Sequence, residues 1–206
     1  TKAYNAAGEL TAHTDFNGDT TRYRYTAGGY LEHTDYPNDA DVSFQYNGAG
    51  ERTQVQDGRG TSTTAYDRRG RMIRSVDADG GIIEYQYDAV GNLIARISPS
   101  QSLVYSHDAR NRMESVTRTV DGEAPPTTTY EYDQVGNRTA MTTGGVRNES
   151  SYDRPHRLTS LLKKTAAGAL LLAMNYSLDA SGMRTGVEEA DASGIVRSVA
   201  YAYDAT

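Results

Sequence analysis

The residues of this 206-residue chain that could do chemistry are four histidines, many aspartates and a few acidic turns. His13, His33, His107 and His156 would act as metal ligands or general bases only if gathered together, yet no two stand at the short spacings that place ligands on one face of an element. The stretch "DFNGD" sets Asp15, Asn17 and Asp19 at the first, third and fifth positions of a calcium loop, and "DADGG" opens in a similar way. Both lack the rest of that loop: no Gly stands sixth from Asp15, and Thr26 occupies the place of the bidentate Glu. There is no Cys, so thiol nucleophiles and thiolate metal sites are excluded. Ser and His never share a nucleophile-elbow context, and no phosphate-binding loop occurs. The sequence therefore assigns no catalytic, metal or cofactor-binding residue, implies no cofactor, and leads us to expect no enzyme.

Composition points elsewhere. Sixteen Tyr, two Phe, no Trp and 20 Gly favour pleated strands and tight turns. The net charge of -6 comes from acids scattered along the chain, which argues against nucleic acid as a partner. The longest apolar run, "AGALLLAM" at 167–174, falls well short of the roughly 18 residues of a membrane span. The chain begins at Thr1 with neither Met nor a leader and stops at "YAYDAT", so it reads as a piece of a longer protein.

The scattered carboxylates acquire a pattern once the chain is searched for internal repeats. "EYQYDAVGNLIARI" at 84–97 returns as "TYEYDQVGNRTAM" and, eroded, as "RYRYTAGGYLEH". With the second Tyr as an anchor, equivalent positions fall at Tyr4, Tyr25, Tyr46, Tyr66, Tyr87, His107, Tyr132, Tyr152, Leu178 and Tyr203, spaced by 20 to 26 residues. The next residue is Asp at seven of these ten (Asp67, Asp88, Asp108, Asp133, Asp153, Asp179, Asp204) and Asn at Asn5 and Asn47. Four residues past the anchor stand Gly8, Gly29, Gly50, Gly70, Gly91, Asn111, Gly136, His156 and Gly182. Asp or Asn opens a turn with its side chain and Gly closes it at positive φ; Asn111 can do the same, whereas His156, after Pro155, is expected to need a modified turn. A recurring turn column accounts for the Asp residues better than an acid/base pair does.

Before the anchors, Val42-x-Phe44-x-Tyr46, Ile83-x-Tyr85-x-Tyr87, Leu103-x-Tyr105-x-His107, Met174-x-Tyr176-x-Leu178 and Val199-x-Tyr201-x-Tyr203 alternate with period two, the mark of a strand with one packed and one wet face. Six residues past the anchor an apolar side chain returns, interrupted by Arg52, Arg138 and Arg184. Strand arginines such as Arg22, Arg24, Arg71 and Arg74 are expected to pair with cross-strand carboxylates or to be solvated. A second turn signal lies mid-repeat: "DFNG", "DYPN", "DGRG", "DADGG", "DGEAPP" at 121, "TTGG" and "DASG". The least repeat-like stretch, 158–176, is expected to be a long hairpin with a loose tip at 163–168. The fold class that follows is all-β: residues 1–206 are expected to form one array of about nine antiparallel β-hairpins.

These motifs resemble the tyrosine-aspartate (YD) repeats of RHS proteins, a family of bacterial polymorphic toxins, insecticidal toxin complexes, wall-associated proteins and teneurins. The resemblance covers essentially the whole chain. It implies a long curled or spiralling sheet of hairpins that forms a hollow shell with Tyr facing inward, usually around a toxin domain, on an exported or cell-surface protein. The family's DPxGL-type autoproteolysis motif is absent. The partner expected is an enclosed toxin or unfolded polypeptide. The rival readings are a surface adhesion module whose Tyr rows meet glycans, and self-association through open sheet edges into a fibre or oligomer. The residues expected to matter are structural repeat positions: Tyr25, Tyr46, Tyr66, Asp67, Gly70, Tyr85, Tyr87, Asp88, Gly91, Tyr130, Tyr132, Asp133, Gly136, Tyr152, Asp153, Tyr201, Tyr203 and Asp204. Truncating Tyr85 or Tyr87 is expected to cost about 3 to 5 kcal/mol if the ring is buried.

Overall fold

The computed structural model of the chain describes residues 1–120, 123 and 126–203; Asp204 and most of the "DGEAPP" turn lie outside the described residues. Period-two alternation and closely spaced turn residues yield 19 β-strands, and no helix forms among the described residues. The chain divides into two units, Thr1–Ser100 and Gln101–Thr206. The first holds β1 (Lys2–Tyr4), β2 (Leu10–Thr14), β3 (Thr20–Tyr25), β4 (Leu31–Asp35), β5 (Val42–Tyr46), β6 (Arg52–Asp57), β7 (Gly60–Tyr66), β8 (Met72–Val76), β9 (Ile82–Tyr87) and β10 (Leu93–Ser98). The second holds β11 (Gln101–His107), β12 (Met113–Val120), β13 (Thr127–Tyr132), β14 (Arg138–Thr143), β15 (Val146–Tyr152), β16 (Leu158–Thr165), β17 (Leu170–Leu178), β18 (Arg184–Asp191) and β19 (Gly194–Ala200). Within each unit every strand pairs antiparallel with the next, an open meander.

Alternation holds where the sequence places it: Tyr85 and Tyr87 are half-buried while Glu84 and Gln86 are exposed. The core is thin. Among the described residues only Ala95, Ala140, Ala173 and Thr34 are buried, and no large side chain is. Tyr85 and Tyr87 are half-buried, so the condition attached to the full truncation cost is not met, and a half-covered ring forfeits only part of its transfer free energy.

Three local expectations change. His156 needs no modified turn: its φ is 66°, close to the 61° of Asn111, and its N–H donates to Asp153 O at 3.0 Å like the glycine it replaces. The 158–176 hairpin forms, but its tip is shorter than 163–168, because β16 runs on to Thr165, where Thr165 Oγ1 accepts the Ala169 N–H and Gly168 N donates to Thr165 O. The last alternating stretch leaves the ladder at Ala200, and Tyr201 and Tyr203 are exposed. Tyr201 N still reaches Thr185 O at 2.9 Å.

Candidate functional site

The recurring feature of both units is the turn that follows each anchor. In it the N–H of the first residue donates to the carbonyl of the fifth (Asp67 to Arg71 at 2.9 Å, Asp133 to Asn137 at 3.0 Å). The opening carboxylate returns bonds to the main chain: Asp67 Oδ1 accepts from the N–H groups of Arg69 and Arg71, and Asp133 Oδ1 from those of Val135, Gly136 and Asn137. The fourth residue sits at positive φ, as at Gly70 (74°), Gly91 (115°) and Gly136 (105°). A bulge follows each time: Tyr66 pairs with Met72 but Ala65 with Arg74, Tyr132 with Arg138 but Glu131 with Ala140, Tyr152 with Leu158 but Ser151 with Ser160. One unpaired residue per turn raises the local twist and splays the strand away from its next neighbour.

The splay shows in the other hairpins, those closed mid-repeat. Their ladders end three residues short of each anchor, at Arg22, Ser43, Thr63, Glu84, Thr129 and Glu149. The anchor tyrosine spans the opening with its hydroxyl. Tyr25 donates to Leu10 O, Tyr46 to Leu31 O, Tyr66 to Arg52 O, Tyr87 to Met72 O, Tyr132 to Met113 O, Tyr152 to Arg138 O and Tyr203 to Arg184 O, all at 2.8–3.1 Å. Each acceptor is the sixth residue past the preceding anchor. Phe cannot make this bond, which accounts for Tyr rather than Phe at these seven anchors. His107 and Leu178 occupy the slot without a hydroxyl, and His107 Nδ1 is buried with no hydrogen-bond partner among the described residues.

The fifth turn residue covers the next anchor's ring. Tyr30 stacks on Tyr46 with centroids 5.0 Å apart, the Arg71 guanidinium lies 4.4 Å over the Tyr87 ring and that of Arg112 lies 4.6 Å over Tyr132. Arg71, Arg112 and Arg157 also pair back to their own opening carboxylates, Asp67, Asp108 and Asp153, at 2.6–2.7 Å. Their Nη1 atoms donate forward to the carbonyls of Asp88, Asp133 and Asp179 in the following turn. Arg69 and Arg110 add a second forward bond, to Ala89 O and Gln134 O. The Arg112 side-chain bond holds the Asp108 carboxyl down to about 2, and the Arg71 bond lowers that of Asp67.

Where the opening residue is Asn, the polarity reverses: Asn5 Nδ2 donates to Glu9 Oε2 and Asn47 Nδ2 to Glu51 Oε2, both at 2.6 Å. Sequence reasoning missed these fifth-position partners. The signal was present, because Asn opens onto Glu whereas Asp opens onto Arg, Asn or Met and never onto Glu. It also missed why Arg52, Arg138 and Arg184 interrupt the apolar column: each guanidinium lies 4.2–5.8 Å over the aromatic ring two residues before the anchor, Phe44, Tyr130 and Tyr176.

Cross-strand ion pairs form as expected at Arg22–Asp35 and Arg74–Glu84, with Nη1···Oδ2 at 3.9 Å and Nε···Oε1 at 3.8 Å. A longer chain runs Glu131–Arg147–Glu149–Lys164 over β13 to β16, and its hydrogen bonds to Arg147 and Lys164 lower the Glu131 and Glu149 carboxyls. The histidines are not brought together; His33 meets Asp41 at 3.2 Å and His156 meets Asn137 at 3.0 Å. Asp15 Oδ1 is used by the main-chain N–H groups of Asn17 and Asp19, as a turn requires. The chemistry this arrangement offers is fastening: every described hydrogen bond of the turn edge joins one repeat within itself or to the next.

The RHS Repeat family model matches residues 4–41, 66–103 and 87–124, and each match begins on an anchor tyrosine. Among curated proteins, the chain is 28% identical over 118 residues to double-stranded DNA deaminase toxin A of Burkholderia cenocepacia (strain H111), a match over 56% of this chain and 8% of that protein. Among solved structures it is similar to TcdB2-TccC3-TEV, with a TM-score of 0.78 at 12% identity over 98% of this chain and 12% of that one. TcdB2-TccC3-Cdc42 follows with a TM-score of 0.56 at 14% identity, over 91% of this chain and 14% of that one. TcdB2-TccC3 without its hypervariable C-terminal region gives 0.55 at 13% identity, over 96% and 15%. The chain thus spans about a tenth of the length of these relatives.

Proposed function

Since the chain belongs to the RHS-repeat proteins, with the structural fold of that family, we propose that it is a length of shell wall in an exported bacterial protein and encloses a toxin or unfolded polypeptide. In this reading both units are consecutive stretches of one repeat array of about nine hairpins, itself part of a longer chain. Its work is mechanical rather than catalytic. The repeat positions Tyr25, Tyr46, Tyr66, Tyr87, Tyr132 and Tyr152, with their Asp and Gly turn partners, act as fasteners.

The observation that carries the proposal is the hydroxyl bridge across every splayed hairpin end that has a tyrosine to make it. An enclosing wall must stay continuous where its strands diverge, and a one-layer sheet has no second layer to seal such gaps. Supporting it are a relative named as a toxin and a structural neighbour described as lacking a hypervariable C-terminal region, as a constant container with exchangeable contents would allow.

The test is to express the complete reading frame and challenge it with protease. Enclosure requires that the segment following the repeats survive digestion in the intact protein and be cut rapidly once expressed alone. Equal rates of cutting in the two forms would defeat the proposal.

A further inference from the structure

Two Asn-Gly steps occur in turns, Asn17-Gly18 and Asn47-Gly48, and the fold treats them differently. We propose that Asn17 is a site of spontaneous deamidation in the folded protein and that Asn47 is protected from it. In this reaction the Gly18 main-chain nitrogen gives up its proton and attacks Asn17 Cγ. The bond from Cγ to the amide nitrogen breaks, ammonia leaves, and a five-membered imide closes. Water then opens the imide at either carbonyl, giving Asp or isoaspartate, with no change of oxidation state.

Steric access does not separate the two steps, because a Cβ built on Gly18 or on Gly48 would meet no atom within 4 Å. The carboxamides do. Asn47 opens its turn: Oδ1 accepts the N–H groups of Ala49 and Glu51 at 3.0 and 3.1 Å, and Nδ2 donates to Glu51 Oε2 at 2.6 Å. Attack by Gly48 requires all three bonds to let go. Asn17 stands third in a turn opened by Asp15, which takes the corresponding bonds itself. The Asn17 side chain is exposed and forms no hydrogen bond with a described residue, and the Gly18 N–H is held only by a long 3.4 Å bond to Asp15 O.

The experiment is peptide mapping by mass spectrometry of the purified chain, incubated at mildly alkaline pH and body temperature. Folded protein should gain about 1 Da at Asn17 at least about tenfold faster than at Asn47, since local opening must precede attack at Asn47. In urea the two rates should converge. Glu51→Ala should speed the reaction at Asn47 and leave Asn17 unchanged, the unchanged rate serving as the control for folding. Equal rates in the folded chain, or an intact Asn17 after the urea sample has converted, would overturn the assignment.

Discussion

Replacing Tyr132 by Phe deletes one atom of the fastening system and leaves the ring under the Arg112 guanidinium. The lost bond is Tyr132 Oη to Met113 O at 2.8 Å, three residues beyond the last ladder pair, Ser115 with Thr129. A neutral hydrogen bond contributes about 0.5–1.5 kcal/mol net, and an acceptor left wholly dry would raise the loss to about 3 kcal/mol. The site is part-buried, so water can reach the freed carbonyl and the lower figure applies, about 1 kcal/mol. For a chain of this size that corresponds to about 2–4 °C in Tm. Tyr130→Phe is the matched comparison: it lies two residues away on the same face, half-buried, and its hydroxyl has no hydrogen-bond partner among the described residues. Urea titration followed by circular dichroism should show a lower midpoint for Tyr132→Phe and no shift for Tyr130→Phe. Equal shifts, or none in either, would mean that the hydroxyl is incidental and that the tyrosine column is kept for its rings alone.

Gly50→Ala should destabilise more than Gly8→Ala: both sites have φ near 80°, costing about 1–2 kcal/mol for any side chain, but a Cβ at Gly50 would also collide with the Tyr30 hydroxyl, whereas Gly8 faces open space; calorimetry of the pair measures the difference. Asn47→Asp should lower stability by setting a carboxylate against Glu51, and adding Glu51→Arg should restore it by recreating the Asp67–Arg71 arrangement, a double-mutant cycle in urea being the readout. Arg147→Met should cost less than about 1 kcal/mol, given the exposure of the Glu131–Arg147 pair, and the difference from the parent should vanish in concentrated salt. The pH profile follows from Asp67, Asp108, Glu131 and Glu149, whose carboxyls lie below their ordinary values when folded: their contribution is complete above the unfolded value and is lost as pH falls through the folded one. The urea midpoint should therefore hold from neutrality to about pH 5 and fall toward about pH 2, and Arg112→Gln should move the lower end of that fall upward.

Much of this fold is legible in the sequence because it is written repeatedly. One Tyr-Asp turn is a weak signal, but nine in register set the strands, turns and wet face together, and even Asn111 reveals its positive φ by standing in a glycine column. His156 misled for an instructive reason: Pro155 suggested an altered turn, yet the hydrogen bonds that define the turn run between Asp153, His156 and Arg157 and need nothing from the proline nitrogen. The tyrosines set a limit of another kind. Alternation shows that a ring faces the packed side, but it carries no information on how many layers lie above, so how deeply Tyr85 and Tyr87 are covered is not legible in it. The bulges were invisible because an unpaired residue leaves no mark on a pattern counted along one strand; it appears only against the partner.

The thin core changes what these side chains must do. With four buried residues among those described, three of them alanine, apolar burial cannot by itself hold hairpins together at the edge where each bulge pushes them apart. The bonds found there are of the kind that tolerates water: hydroxyl-to-carbonyl and guanidinium-to-carbonyl bonds that span from one repeat to the next, beside charge-assisted pairs and cations over rings. Tyrosine suits this place because a single side chain gives the packed face its ring and the gap its hydroxyl. Where the hydroxyl is absent within the second unit, at Leu178, no such bridge joins the hairpin end among the described residues. Local opening measured by hydrogen exchange should therefore be fastest, in the second unit, at the main-chain amides flanking Leu178, while those flanking Tyr132 and Tyr152 stay protected. Uniform protection across the three would show that the ladder alone keeps the wall closed.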